Sequence, residues 1–210
     1  MTDPNIQTTL DADGILLATI DMPGRAMNVF SRSLMDSLEA LITRVQADDA
    51  RRGAVLTSGE AAFLAGADLE MIQTFTERAR HGSTAELRLL FGHLGRLFRR
   101  MELSHKPWVA AINGLALGGG LEVCLACHER VVADDPAIQL GLPEIKLGLL
   151  PGAGGTQRLP RASRSTPAVR LPSQSPQPQR LRVPRARPMC RSASMETART
   201  RSAFGERSAL

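Results

Sequence analysis

The chain has 210 residues, 43% hydrophobic and only 3% aromatic, with one Trp and no Tyr. That is long enough for one domain with a real core, holds no apolar run of the ~18 residues that a membrane span needs, and is too poor in aromatic rings for a single-stranded nucleic-acid platform. The net charge of +5 is unevenly placed: residues 162–210 hold ten Arg, no Lys and two acids, while the first 161 hold 16 basic against 19 acidic residues, so it says little about what the rest binds.

Met1-Thr2-Asp3-Pro4-Asn5 lacks the basic and apolar regions of a signal peptide, so a cytoplasmic protein is expected. In chain order, 15–21 (ILLATID) is a short apolar run between Gly14 and Pro23 and predicts a strand. Leu34, Leu38, Leu41, Ile42 and Val45 fall at helical spacing and predict a helix over 31–48, with Ser31 or Ser33 as N-cap. A buried strand is expected at 54–57, then helices over 69–80 and 84–103, the second with Leu87, Leu90, Phe91, Leu94 and Phe98 on one face and stopped by Pro107. A strand at 108–113 leads into a glycine turn, and a helix begins in 120–127. Short strands are expected at 131–133 and 138–140, and a helix opens across 154–159. Repeated strand–helix alternation with short connections predicts an α/β fold.

From residue 162 the character changes. Six Pro, eight Ser and ten Arg surround scattered apolar residues without period. Such a segment buries too little surface to offset its chain entropy, which predicts a disordered tail after a domain over 1–161. The change falls inside an opening helix, which suggests a reading-frame break near Arg161; a solvated basic tail is the alternative. Arg interleaved with Pro and Ser does not favour a nucleic-acid-binding arm.

Three short motifs carry chemistry. Phe63-Leu64-Ala65-Gly66-Ala67-Asp68-Leu69 runs from a strand to a helix start, with small residues that leave N–H groups accessible near a helix N-terminus. Taken alone, the favoured reading is an ordinary loop with an N-capping Asp. Gly118-Gly119-Gly120 precedes Glu122 and lacks the G-x-G-x-x-G spacing of a dinucleotide fingerprint; it permits close backbone approach to a ligand, or is a tight turn. Glu144 lies among Leu140, Leu142, Ile145, Leu147 and Leu149, where a carboxylate must be satisfied or shifted in pKa, unless it is half-exposed beside Pro143. Two carboxylates in apolar settings are able to exchange protons near neutral pH.

Cys124-Leu125-Ala126-Cys127-His128 matches the C-x-x-C-H pattern of c-type haem attachment, but that chemistry needs export, and both cysteines fall on an expected buried helix. Zinc lacks a second ligand pair. The two thiols are expected as small core residues, and the three cysteines do not form a disulfide framework. His81, His93 and His105 have no partner evident in the sequence and receive no role.

Asn28, Ala65-Gly66-Ala67-Asp68, Lys106-Pro107, Asn113-Gly114, Gly118-Gly119-Gly120-x-Glu122, Pro143-Glu144 and Gly152 to Arg158, in this order, resemble the crotonase (enoyl-CoA hydratase/isomerase) family over roughly residues 8–161. The wording of Leu125 to His128 and Asp134-Asp135-Pro136 most resembles the hydratase part of fatty-acid oxidation complex alpha subunits. The resemblance implies a crotonase-like spiral of repeated β-β-α turns, incomplete at the C-terminus because the family's later helices are not readable after Arg161. It implies an acyl-CoA thioester substrate, no metal or redox cofactor, and a homotrimer or a place in a fatty-acid oxidation complex. Ala67 and Gly119 would supply oxyanion-hole N–H groups, Glu122 would position and deprotonate the water, and Glu144 would deliver the proton to Cα. Ala65, Gly66, Asp68, Leu69 and Gly118 would line the acyl-CoA side. Two acids favour hydration of 2-enoyl-CoA in β-oxidation; an isomerase working with one acid and a non-catalytic acyl-CoA-binding remnant are the alternatives.

Overall fold

A computed structural model describes residues 3–162. The predicted tail therefore lies outside the described residues, apart from Ala162. The main sheet has the order β1-β2-β3-β4-β6, from β1 (Ile6–Leu10), β2 (Ile15–Ile20), β3 (Gly53–Ser58), β4 (Trp108–Ile112) and β6 (Glu129–Val132). Only β1 runs antiparallel to its neighbour; β2, β3, β4 and β6 are mutually parallel. Parallel strands need crossovers, and helices supply them: α1 (Arg32–Ala47) between β2 and β3, α2 (Leu69–His81) and α3 (Thr84–Glu102) between β3 and β4, and α4 (Gly119–Ala126) between β4 and β6.

A second, smaller layer repeats beside the first. β5 (Ala116–Leu117) pairs in parallel with β7 (Leu140–Gly141), Leu64 bridges to Ala116, and Phe30 bridges to Ala67. Each turn of the chain thus gives one strand to the main sheet, one short stretch to the small sheet, and then helix. This is an α/β spiral of β-β-α turns. The last described turn ends in a 3₁₀ turn, Glu144–Leu147, and α5, Gly155–Ala162.

Local chemistry sets the element ends. Ser31, the first of two candidate caps, accepts the Leu34 N–H at the start of α1. Ser83 and Glu86 form a reciprocal capping box at α3. Lys106 Nζ donates to the Val45 and Asp48 carbonyls and so satisfies the end of α1. Between the sheet and helices α1, α3 and α4 lies the core, built on Phe30, Leu34, Ile42, Leu56, Phe63, Phe98 and Trp108, all nearly inaccessible. Cys124 and Cys127 belong to it, as expected. Burial pushes the Cys127 thiol up to about 12, and His128 Nδ1 accepts the Trp108 N–H.

Several expectations are corrected. β1 leaves no alternation to detect in the sequence, because Ile6 is its sole buried residue. β6 begins two residues before the expected 131, and β7 is Leu140–Gly141, not 138–140. On α3 only Phe98 of the expected face is buried, joined by Leu97 and Met101 nearer the C-terminus. The N-terminal half instead meets α2, which buries none of its own residues; Phe91 packs edge-on to Phe75 at 5.5 Å. His93 lies 3.6 Å from Glu39 rather than alone.

Candidate active site

The small layer brings the first two motifs together. Leu64 N–H donates to the Leu115 carbonyl (3.0 Å), and Leu117 N–H donates to the Leu64 carbonyl (3.1 Å). These bonds hold the 65–68 loop against the glycine turn. A Cβ on Gly118 would stand 3.8 Å from Gly66 Cα and 3.1 Å from Glu144 Oε1. Gly118 also has φ +53°, ψ −127°, which only glycine adopts without strain. At Gly120 a Cβ would collide with the Leu64 carbonyl. The glycines are therefore what let one backbone turn touch both the 65–68 loop and a carboxylate.

The loop is anchored from behind by Asn28, which is fully buried. Its side chain accepts the Met22 N–H and donates to the Ile20 carbonyl and to Ser58 Oγ, while its backbone carbonyl accepts the Ala65 N–H. On the flanks, Phe30 N–H donates to Gly66 O and Asp68 N–H to Phe30 O. Among the described residues, no protein acceptor takes the N–H of Ala67 or of Gly119. Gly119 opens α4, where the first N–H groups have no partner within the helix. Ala67 is exposed and Gly119 half-buried.

Two carboxylates complete the constellation. Glu122 is 2% exposed, one turn into α4. Its Oε1 accepts the Ala153 N–H (2.9 Å) and the Gly155 N–H (2.7 Å) from the 152–155 glycine loop. Burial raises its pKa above the ordinary carboxylate range, outweighing those two bonds and the Arg158 charge. Glu144 opens the 3₁₀ turn after Pro143. Burial raises its pKa as well, and the negative charge of Glu122 adds to the rise against a bond from its own backbone. Its Oε2 is buried with no hydrogen-bond partner among the described residues. A buried carboxylate oxygen left unpaired is costly in a settled core and is common where a ligand is handled.

Of the residues singled out from sequence, the fold brings Ala65, Gly66, Ala67, Gly118, Gly119, Glu122 and Glu144 to one place. Asp68 is otherwise engaged: Oδ1 caps α2 through the Glu70 N–H, and Oδ2 pairs with Arg25 at 2.6 Å. Leu69 is 70% exposed at the start of α2. Sequence reading does not assign Arg25, Ala153, Gly155 or Arg158. The signal for the last three is present in the Gly-Ala-Gly-Gly run, but nothing in the sequence says that this run closes on Glu122. A cavity of about 830 Å³, lined by Arg25, Met35, Asp68, Phe75 and His93 among others, lies between α1, α2 and α3. Among the described residues no helix is long and apolar enough to cross a membrane.

Layered β-β-α turns, with paired carboxylates beside a glycine turn, define an α/β protein of the crotonase type. Residues 11–170 match the family model described as enoyl-CoA hydratase/isomerase, and the chain belongs to that family. It is 46% identical over 149 residues to a fatty acid oxidation complex subunit alpha of Idiomarina loihiensis, with 70% of this chain and 20% of that protein covered. The Shewanella amazonensis subunit of the same name is 46% identical over 151 residues, covering 71% and 20%. The chain thus spans about a fifth of the length of these curated relatives. Among solved structures, an enoyl-CoA hydratase from Bacillus anthracis is similar at a TM-score of 0.63 and 34% identity, covering 75% of this chain and 58% of that one.

Proposed function

We propose that this chain carries the hydratase chemistry of its family: syn addition of water across the double bond of a 2-enoyl-CoA thioester in fatty-acid β-oxidation. The observation that carries the reading is the meeting of Glu122 and Glu144 beside the Gly118–Gly119 turn, with the Ala67 and Gly119 N–H groups unclaimed by the protein. In this reading the thioester oxygen sits between the two N–H groups. They stabilise it as negative charge develops, the largest single contribution expected to the rate. Glu122, fixed through Oε1, holds the water and takes a proton as the oxygen bonds to Cβ. Glu144 gives a proton to Cα, and the two carboxyls exchange the balance, so that one water is consumed and the enzyme is regenerated. The raised pKa of both groups suits carboxyls that trade protons near neutral pH. No metal or redox group enters the scheme, and coenzyme A arrives as part of the substrate.

Purified protein is expected to hydrate crotonyl-CoA, read as loss of the enoyl-thioester absorbance. A folded protein that binds acyl-CoA without hydrating it would refute the catalytic half. That second reading, acyl-CoA binding without turnover, is favoured by one observation: Ile145, Leu147 and Leu150, next to Glu144, are 64–78% exposed, so the described residues enclose the site on one side only. Isomerisation of 3-hexenoyl-CoA without hydration would assign the single-acid chemistry instead.

A further inference from the structure

Arg158 is 9% exposed, close to the site yet not in it. Its Nη1 donates to the Ala153 carbonyl at 2.7 Å, and its Nη2 donates to Glu102 Oε2 at 3.2 Å. Ala153 is thereby held at both ends of the residue: the carbonyl by Arg158, the N–H by Glu122. One turn of α5 separates Arg158 from the loop it grips, and its own N–H donates to the Gly154 carbonyl at 2.9 Å. Glu102, at the end of α3, also takes Arg99 at 2.6 Å. Burial would raise the Glu102 carboxyl, but the bonds and charges of Arg99 and Arg158 outweigh it and hold the group below its ordinary range, so it stays an anion at neutral pH.

We infer that Arg158, anchored by Glu102, is a positioning residue that holds the 152–155 loop so that the Ala153 and Gly155 N–H groups converge on Glu122. Arg158 does not touch the place where the substrate reacts; it acts through the loop. The guanidinium is suited to this because its planar fork serves two acceptors in fixed directions, which an ammonium does not. The role follows from geometry that ties three elements together: α3 supplies the anchor, α5 the fork, and α4 the carboxylate that is held. It rests on the reading of Glu122 as the water-holding carboxylate, but the contact pattern exists whatever the reaction.

The test uses the full chain, ¹⁵N-labelled, with three variants: Arg158→Gln, Arg158→Lys and Glu102→Gln. In Arg158→Gln the Ala153 and Gly155 amides are expected to lose hydrogen-exchange protection by about tenfold, and their pH titration, which follows Glu122 and the Glu144 coupled to it, to move upward as the cation is lost. Crotonyl-CoA turnover is expected to fall by about tenfold in kcat with KM little changed, since orientation and not substrate contact is removed. Arg158→Lys keeps the charge but loses the fork, so it restores the titration in part and the amide protection hardly at all. Glu102→Gln frees the fork while leaving Arg158 in place, and gives a smaller loss of protection in the same two amides. Unmoved Ala153 and Gly155 amides in both Arg158→Gln and Glu102→Gln would overturn the inference, even with an active wild type. An inactive wild type with moved amides would instead refute the hydratase reading and leave the positioning role standing. Should Arg158→Gln not fold, Glu102→Gln decides.

Discussion

Replacing Glu144 by Gln should reduce activity and raise stability together. The side chains are nearly isosteric, so the change removes a titratable proton and a charge without opening a cavity. Loss of a positioned proton donor costs about 10²–10⁴ in rate, which corresponds to roughly 3–5 kcal/mol of transition-state stabilisation. The stability effect has the opposite sign. Burial and the Glu122 charge raise the native pKa of Glu144 above its unfolded value. The folded state therefore binds the proton more tightly, and stability falls as pH rises between the unfolded and the folded pKa. Below that window both states hold the proton and the penalty is absent; above it the penalty is complete. Each tenfold difference in proton affinity between the two states is worth about 1.4 kcal/mol, and because Glu144 is only half-buried, solvent screening keeps the gain below that of a fully buried carboxylate. Urea denaturation at pH 8 should show Glu144→Gln the more stable, and at pH 4 the two proteins should coincide. Crotonyl-CoA hydration measured on the same samples should be lost. Activity within a few-fold of wild type would refute proton delivery by Glu144, and lower stability at pH 8 would refute the claim that its charge is disfavoured in the fold.

Other substitutions test the scaffold. Gly120→Ala drives a Cβ into the Leu64 carbonyl and should cost about 2–4 kcal/mol, read as a lower urea midpoint at an unchanged slope. Asn28→Ala leaves the Met22 N–H, the Ile20 carbonyl and Ser58 Oγ without their side-chain partner, and about 3 kcal/mol should be lost. Unchanged unfolding would show that these three side-chain bonds do not stabilise the fold. Cys124 and Cys127 should resist alkylation at pH 7 in the native protein and react only in denaturant, because burial raises both thiols, Cys127 to about 12. Rapid native labelling of either would contradict their place in the core. The rate of hydration should fall with acid along a limb displaced above the ordinary carboxylate range, since Glu122 and Glu144 both titrate high.

Much of the fold is legible wherever period and capping agree. The α1 pattern from Leu34 to Val45 gives the helix and its buried face, and Ser31 its cap. Ile15–Ile20 and Gly53–Ser58 read as apolar runs because their half-buried positions, such as Leu17 and Val55, are apolar as well as their buried ones. Two-residue strands such as Ala116–Leu117 carry no period at all, and they are the part of the fold that brings the two loops of the site together. The α3 face misleads because Leu87, Leu90 and Phe91 have helical spacing but lie in the half of α3 beside α2, a helix with no buried residue, where Phe91 packs on Phe75.

The sequence by itself determined the local chemistry: a glycine turn before an acid, a second acid among leucines, an alternation of strands and helices, and family membership. These are properties of neighbours along the chain, where propensity and spacing act directly. Only the tertiary structure decided that Glu144 feels the charge of Glu122, 22 positions away, that Gly118 packs against both Gly66 and Glu144, and that Arg158 and Glu102 grip the loop that holds Glu122. The physical reason is that such contacts come from the register of a parallel spiral. Bonds such as that from Leu117 to Leu64 place residues far apart in sequence within a few ångströms, and no local pattern encodes them.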